Sequence, residues 1–277
     1  MTEFFASNAW EVSEQSVEEQ LYHFCMARYT HGKELFTLWQ KVLPLAKLMS
    51  WSKYEAVTPW VETDIFCRCA YTLDFEKDDP KYDDYLLPLE ASRGDGVWCL
   101  RRISLLLGQE DDRETRDLYD LARTILTRYL NGLTLTLCRQ YSRGEAVADT
   151  ADAFVELLTL YGDFLATNRE YSLFHTLCSL NETAPVNPYF TPTLKRNCDN
   201  LYCRSAVTEC VQELYLPEAK KLAEMLKGKT YRKDALISFG KANQAAFEAR
   251  PLMPTTTKEH PARILQKTAE VLEKITP

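Results

Sequence analysis

Hydrophobic residues recur every three or four positions through the middle of the chain. Six of them follow this spacing in one stretch: Leu118, Leu121, Ile125, Tyr129, Leu133 and Leu137. Because an α-helix turns once in about 3.6 residues, these side chains share one side of a long helix. The period stops at SRGEAVAD, residues 142–149, and starts again between Phe154 and Leu165. The pattern predicts two antiparallel helices, with Gly144 just past the end of the first and Asp149 as the N-cap of the second.

One short stretch of this pattern also fits a β-hairpin. NGLTLTLC, residues 131–138, puts an Asn-Gly turn before alternating leucine and threonine. A helix here has to carry Gly132, which costs about 1 kcal/mol relative to alanine. The residues before Asn131 do not alternate, so the turn has no partner strand, and Leu133 and Leu137 keep the helical period. We therefore predict that the helix continues through this stretch.

Segments of the same kind predict further helices on both sides of this pair. Ser16 and Glu19 have the spacing of a capping box at the start of the first one. The other predicted helices span about 33–49, 53–73, 95–107, 170–180, 195–226, 233–248 and 259–275. Pro217 should kink the helix at 195–226 or start a new one, and the stretches 74–90 and 181–193 are predicted loops. The predicted fold is all-α, an irregular multi-helix bundle of antiparallel helical hairpins.

The two ends of the chain differ from its middle, so three regions are predicted. Residues 1–12 contain FFASNAW, in which three large aromatics, among them Trp10, precede any helical pattern. We interpret this region as the remnant of a preceding domain or as an N-terminal stub. Residues 13–249 form the helical bundle, and residues 250–277 are a proline-rich linker followed by a terminal helix.

Net charge, apolar run length and cysteine number indicate which partners and which cellular compartment to expect. The 277 residues carry a net charge of −7, which argues against a nucleic-acid partner because phosphate binding needs basic surface. The apolar run ISLLLG at 103–108 falls far short of the roughly 20 residues that cross a bilayer, so no membrane partner is expected. Nine scattered cysteines, an odd number with no secretion signal, predict a reducing, cytoplasmic location for the chain as it stands.

No catalytic residue and no metal ligand is predicted from local motifs. The acidic stretch 74–90, which includes Asp78 and Asp83, could hold Mg²⁺ only with a second ligand set on another helix, and a solvated loop is favoured instead. There is no Cys-x-x-Cys pair, and Cys67 and Cys69 on a helix would point about 200° apart. Neither a Gly-x-Ser-x-Gly elbow nor a phosphate-binding glycine loop occurs. We therefore expect no cofactor.

The first helix and the run before it resemble a junction found in multidomain glycosidases. The segment FFASNAWEVSEQSVEEQLYHFCMARYTHGKELFTLWQKVL covers residues 4–43. In those enzymes the last strand of a (β/α)8 barrel ends in an apolar run with a tryptophan. The chain then enters a helical C-terminal domain through a helix that ends in Arg-Tyr-Gly. Here Trp10, Arg28 and Tyr29 occupy the matching positions, and Thr30 replaces the glycine.

Three later segments resemble helices of the α-N-acetylglucosaminidase family. DLYDLARTILTRYLNGL, residues 117–133, is similar to its Asp-Leu-Val-Asp-Leu-Thr-Arg-Gln helix, and residues 154–173 and 201–226 are similar to two later ones. The matching residues are Asp117, Leu118, Asp120, Leu121, Arg123, Leu165, Ala166, Thr167, Leu214, Tyr215, Leu216 and Pro217. Glu218 and Ala219 depart from the family, which has Arg-Trp after the proline.

The resemblance implies that the chemistry lies outside this chain. In that family both catalytic carboxylates belong to the barrel, and the helical domain closes one side of the sugar cleft. The chain is too short to contain a barrel of about 250 residues in addition to the helical bundle. We therefore expect an accessory domain, inactive alone, with a catalytic (β/α)8 barrel as partner in cis or in trans and carbohydrate as a candidate ligand.

On this interpretation Trp10, Arg28 and Tyr29 are the candidate substrate-binding residues, expected near one another on a concave face. The main alternative is a stand-alone helical protein-interaction module, whose similarity to the family arises from amphipathic patterning alone. A helical enzyme that uses the acidic stretch 74–90 is a third hypothesis.

Overall fold

The computed structural model describes residues 15–48, 64–108, 112–183, 190–199, 204–255 and 257–275. Within these ranges the chain is helical and contains no β-strand, which confirms the predicted all-α bundle. The longer helices are α1 (Val17–Arg28), α2 (Gly32–Ala46), α3 (Asp83–Ala91), α4 (Arg93–Leu106), α5 (Asp112–Ser142), α6 (Ala148–Ala166), α7 (Leu173–Thr183), α8 (Phe190–Cys198), α9 (Leu216–Lys227), α10 (Lys233–Ala249) and α11 (Pro261–Lys274). None of the described helices is long and apolar enough to cross a membrane.

Helix α5 runs through the bundle and packs against α2, α3, α4 and α6. All six residues of its predicted stripe are buried, as are Phe154, Leu157, Leu158, Tyr161 and Leu165 of α6. Each such leucine contributes about 1.5–3 kcal/mol when it leaves water. The start of α5 contacts the end of α6, where Tyr119 stacks on Phe164 at a centroid distance of 4.7 Å. The antiparallel pair predicted from the period is therefore confirmed.

The Asn-Gly dipeptide lies inside α5 and makes no turn. A Cβ atom added to Gly132 would lie 2.2 Å from Cδ2 of Leu89 on α3. The glycine therefore serves the close approach of α3 to α5 and has no role as a hairpin residue. Asn131 is also buried, and its side-chain amide donates to Asp64 over 2.9 Å.

The connection between α5 and α6 confirms one predicted cap and corrects the other. Gly144 has the predicted left-handed conformation with φ +72°, and the amide of Glu145 donates to the carbonyl of Gln140 over 2.8 Å. The N-cap position of α6 is occupied by Val147, so the prediction of Asp149 as N-cap was wrong. Asp149 lies in the first turn, where a carboxylate still favours the positive end of the helix.

The acidic stretch 74–90 was predicted as a loop, which is wrong for its second half. Residues Pro80–Tyr82 form a 3₁₀ turn, and α3 follows with Pro88 inside it. Burial explains why a helix forms against the local proline signal. Tyr85 and Leu89 face the core, and the Tyr85 hydroxyl donates to the carbonyl of Arg128 on α5 over 3.0 Å.

The long helix predicted at 195–226 is broken. Helix α8 ends at Cys198, and short turns at Arg204–Ala206 and Thr208–Cys210 lead into a π-helical turn, Val211–Tyr215. Helix α9 starts directly after it, with Pro217 in its first turn, as the alternative form of that prediction states. Of the helix predicted at 53–73, the described part consists of two short turns, Ile65–Arg68 and Cys69–Thr72.

Candidate functional site

The two described candidate residues, Arg28 and Tyr29, lie together at the end of α1. Tyr29 is the C-cap residue, and its hydroxyl donates a short hydrogen bond to Oδ2 of Asp117 on α5. The guanidinium Nε of Arg28 lies 3.9 Å from the same oxygen. Tyr29 is only 6% exposed, and burial, together with the Asp117 carboxylate, raises its pKa, so the hydroxyl stays protonated and keeps donating.

The next residues of the same turn also contact α5. The backbone amide of His31 donates to Oε1 of Glu114 over 2.6 Å, and Nδ1 of His31 lies 2.9 Å from Oε2. The Glu114 carboxylate has no exposed surface. The turn between α1 and α2 is thus fixed to the first turns of α5 by two carboxylates one helical turn apart. We call the contacts of Tyr29 and His31 with Asp117 and Glu114 the α5 junction.

The third segment of the family resemblance meets the same end of α5. The hydroxyl of Tyr119 lies 2.6 Å from Oγ1 of Thr167, in the segment after α6. Leu118, Leu121 and Leu165 are buried in the core. The residues that carry the resemblance therefore act here as contacts between helices.

The predicted substrate-binding set is only partly described. Trp10 lies outside the described residues, so its expected position beside Arg28 and Tyr29 stays a prediction. Tyr29 faces the interior, whereas the side chain of Arg28 is 39% exposed and also lies over the ring of Phe24 at 5.4 Å. The prediction that these residues contact a sugar stays a prediction.

A buried charge cluster that the sequence analysis did not predict joins Arg68 to residues from the last third of the chain. Arg68 donates to Oδ2 of Asp199 from Nε and Nη2, over 2.9 and 2.5 Å, and from Nη1 to Oε1 of Glu218. Gln244 accepts from Nη2 over 3.0 Å, and the Tyr215 hydroxyl donates to the other oxygen of Asp199 over 2.6 Å. These five residues, the Arg68 cluster, join the turn Ile65–Arg68, the residue after α8, the π-helical turn, α9 and α10.

In the Arg68 cluster, buried carboxylates compensate the buried positive charge of Arg68. Burial alone would lower the pKa of Arg68, but Glu218 and Asp199 reverse that effect and the net shift is upward. All three guanidinium nitrogens of Arg68 donate hydrogen bonds within the cluster. The guanidinium therefore links these elements to one another and has little capacity left to bind a ligand. Two members of the cluster were singled out by the sequence: Tyr215 matches the resembled family, and Glu218 stands where that family has arginine.

Two acidic residues of the stretch 74–90 form ion pairs with arginines at the end of α5 and just after it. Asp78 lies 2.7 Å from Arg143, and Asp83 lies 2.7 Å from Arg139. Among the described residues no group of three or more His, Cys, Asp or Glu is placed to hold a metal ion. Comparisons of this chain with protein-family models, with curated proteins and with solved structures found no match.

Proposed function

We propose that this chain is a helical accessory domain that packs on the catalytic (β/α)8 barrel of a glycoside hydrolase resembling the α-N-acetylglucosaminidase family. It would shape one wall of the sugar cleft and have no activity alone. The observation that carries the proposal is the hydrogen bond between Tyr29 and Asp117. This bond joins two separate segments on which the resemblance rests.

The weight of this contact comes from the kind of residues it joins. Any amphipathic helix repeats leucine at the spacing of Leu118 and Leu121, so such matches carry little information. Periodicity gives no reason for Arg-Tyr at the end of α1 or for an aspartate at position 117. Their contact across the bundle indicates that these residues serve one structural purpose, which favours a shared fold over coincidence.

The outer face of α1 supports a partner on that side. Tyr22 and Met26, one helical turn apart, are 37% and 43% exposed, and Val17 in the first turn is 66% exposed. Helix α1 packs on α2, and the ring of Tyr22 itself packs edge-on against Phe36 of α2, at a centroid distance of 5.3 Å. The apolar side chains that α1 leaves most exposed, Val17 and Met26, would be covered by a further protein body packed on that side. In the resembled family the barrel precedes this helix in the chain.

The same face is the observation that favours the second candidate, a stand-alone interaction module. Its partner would be an unrelated protein that covers Tyr22 and Met26. The two hypotheses therefore differ in the identity of the partner and agree on the surface.

The test is to isolate the native protein from its source cells with an antibody raised against residues 1–277. The proposal expects the chain to co-purify with a barrel glycoside hydrolase, in one polypeptide or as a subunit, with turnover of an aryl N-acetyl-α-glucosaminide by the eluate. The recombinant chain alone should show no turnover. A native protein of the size of the chain itself, isolated without any hydrolase, would overturn the proposal. So would turnover by the purified chain alone.

A further inference from the structure

The last helix, α11, packs in a groove between α4 and α6. It runs antiparallel to α4. His260 at its start lies beside Gly108, just after the end of α4, and the carbonyl of Ile275 after its end accepts from Arg93 at the start of α4. The residues that α11 buries are Ile264, Leu265, Thr268, Ala269, Val271 and Leu272. We call the surface of α4 and α6 that receives this helix the α11 groove.

The linker that leads to α11, residues 251–260, is held weakly. Residues 251–255 and 257–259 form no backbone-to-backbone hydrogen bond within the described chain. Met253 is 64% exposed, and Leu252 is only partly buried against the core. Helix α11 is therefore attached to the bundle mainly by its own contacts with the α11 groove, and the linker adds little.

Both ends of the linker have an extended backbone. Arg250 has φ −81° and ψ 153°, and His260 has φ −70° and ψ 137°, both close to polyproline II. Each precedes a proline, Pro251 or Pro261, which disfavours the helical alternative. The buried ammonium of Lys195 also donates to the carbonyl of Arg250, which fixes the end of α10 independently of the linker. At about 3.1 Å per residue, a proline-rich linker of this length reaches about 30 Å, far enough to place α11 on a neighbouring molecule.

We propose that two copies of this chain exchange α11, so that the helix of each copy fills the α11 groove of the other. The contacts made in the exchanged dimer are the same as those made within one chain, among them the pair of Arg101 and Glu273, so the exchange sacrifices no interface. Exchange of an identical element is a low-cost route to a dimer for this reason. The occupant is a second copy because the groove already fits the sequence of α11.

Concentration decides between the two forms. Within one chain the linker holds α11 near its own groove at an effective concentration of about 1 mM, so the monomer is favoured in dilute solution. The exchanged dimer is expected when the concentration of the chain approaches that value. This inference goes beyond the proposed function and does not rest on it, because the exchange needs neither a barrel nor a sugar.

The experiment joins α4 of one copy to α11 of another. Arg101→Cys and Glu273→Cys are made in separate chains, since the two side chains lie 2.8 Å apart and are 53% and 44% exposed. Cys178, Cys198 and Cys203 are changed to serine in both chains, which leaves six buried cysteines. The two chains are mixed at about 1 mM, diluted, and treated with a short bismaleimide. A covalent dimer should form from the mixture and from neither chain alone, and light scattering should show twice the mass of one chain.

The control for the chemistry is one chain that carries both cysteines, which should react internally when it is kept dilute. Pro251→Ala with Pro254→Ala makes the linker less extended and should lower the yield of covalent dimer severalfold. Pro80→Ala, at an exposed position outside the linker, is the matched control and should leave the yield unchanged. Circular dichroism confirms that each variant is folded.

Three results would overturn the proposal. The first is no covalent dimer from the mixture when the chain with both cysteines reacts internally. The second is a dimer by light scattering without the covalent product, because the copies would then meet at another surface. The third is an equal yield with and without the two linker prolines. None of these results bears on the isolation of the native protein with a hydrolase, so the proposed function and the exchange of α11 can fail separately.

Discussion

Tyr29 and Asp117 lie 88 positions apart in the sequence, and the phenol of the first donates a hydrogen bond to the carboxylate of the second. The bond fixes the end of α1 to α5, and the neighbouring pair of His31 and Glu114 adds a second attachment one turn away. The α5 junction thereby sets the angle at which α1 leaves the bundle, and with it the direction of its exposed apolar face.

Replacing Tyr29 with phenylalanine removes this bond while keeping the ring. We expect a loss of about 1 kcal/mol in the free energy of unfolding, the usual net value of a hydrogen bond. Urea unfolding followed by circular dichroism measures it. Tyr22→Phe on the same helix is the control, since Tyr22 is 37% exposed, and it should change stability by less than half as much. Equal stability of both variants would show that the junction does not hold α1.

Replacing Arg68 with methionine leaves Asp199 and Glu218 buried without their cation. We expect a loss of about 3–5 kcal/mol in the free energy of unfolding, because an uncompensated buried charge is costly. Arg101→Met is the matched control, since Arg101 is 53% exposed in its pair with Glu273, and it should cost less than about 1 kcal/mol. A similar small loss for both variants would contradict the role assigned to the Arg68 cluster.

Two glycine-to-alanine changes should have opposite signs. Gly132→Ala puts a methyl group 2.2 Å from Leu89, and we expect the overpacking to outweigh the gain in helix propensity, with a net loss of about 1 kcal/mol. Gly94→Ala on α4 meets no atom within 4 Å and should raise stability by about 0.5–1 kcal/mol. Thermal unfolding of the two variants tests this directly. A gain for Gly132→Ala would mean that α3 moves aside freely.

Thiol reactivity should follow burial. Cys178 is exposed, whereas six other cysteines are buried: Cys25, Cys67, Cys69, Cys99, Cys138 and Cys210. At neutral pH we expect N-ethylmaleimide to label Cys178 quickly and the buried six only after denaturation, because reaction needs an accessible thiolate. Peptide mapping by mass spectrometry assigns each site. Labelling of Cys99 as fast as that of Cys178 would contradict the packing of α4.

Stability should fall in alkali because of the buried thiols. Burial raises the pKa of Cys99 to about 12, with a smaller contribution from Asp95. A thiol in the unfolded chain titrates near 8.5. Above that pH the unfolded state loses a proton that the folded state keeps, so Cys99 costs up to about 1.4 kcal/mol per pH unit until its folded pKa is reached. Below about pH 8 it has no such effect.

The measurement is the free energy of unfolding in urea between pH 8 and pH 11. Cys99→Ala should flatten this pH dependence relative to wild type. Cys178→Ala, at an exposed position, should keep the wild-type slope. An unchanged slope in Cys99→Ala would mean that this thiol titrates in the folded protein much as it does in the unfolded chain.

Helices that bury one face were predictable, because burial leaves a period in the sequence. This holds for α5 and α6, where each step of three or four residues ends on a buried side chain. The helix α3 was missed because its signals are tertiary. Pro88 and the acidic residues favour a loop locally, and only the contacts of Tyr85 and Leu89 with α5 outweigh them.

The Arg68 cluster could not be read from spacing at all. Its partners Asp199 and Glu218 lie 131 and 150 positions from Arg68, and nothing in a local window connects them. The α5 junction could be predicted in part. The resemblance singled out Tyr29 and Asp117 separately, but only the folded structure shows that the two residues are in contact.

The distance in sequence between Arg68 and its partners has a consequence during synthesis. Arg68 leaves the ribosome long before Asp199, Glu218 and Gln244 exist, so the growing chain must keep this guanidinium hydrated until its last third has emerged. A chain that stops short of Asp199 lacks both carboxylates and cannot close its interior around the charge without a penalty. Products that terminate before Asp199 should therefore remain more open to proteases than the full 277-residue chain.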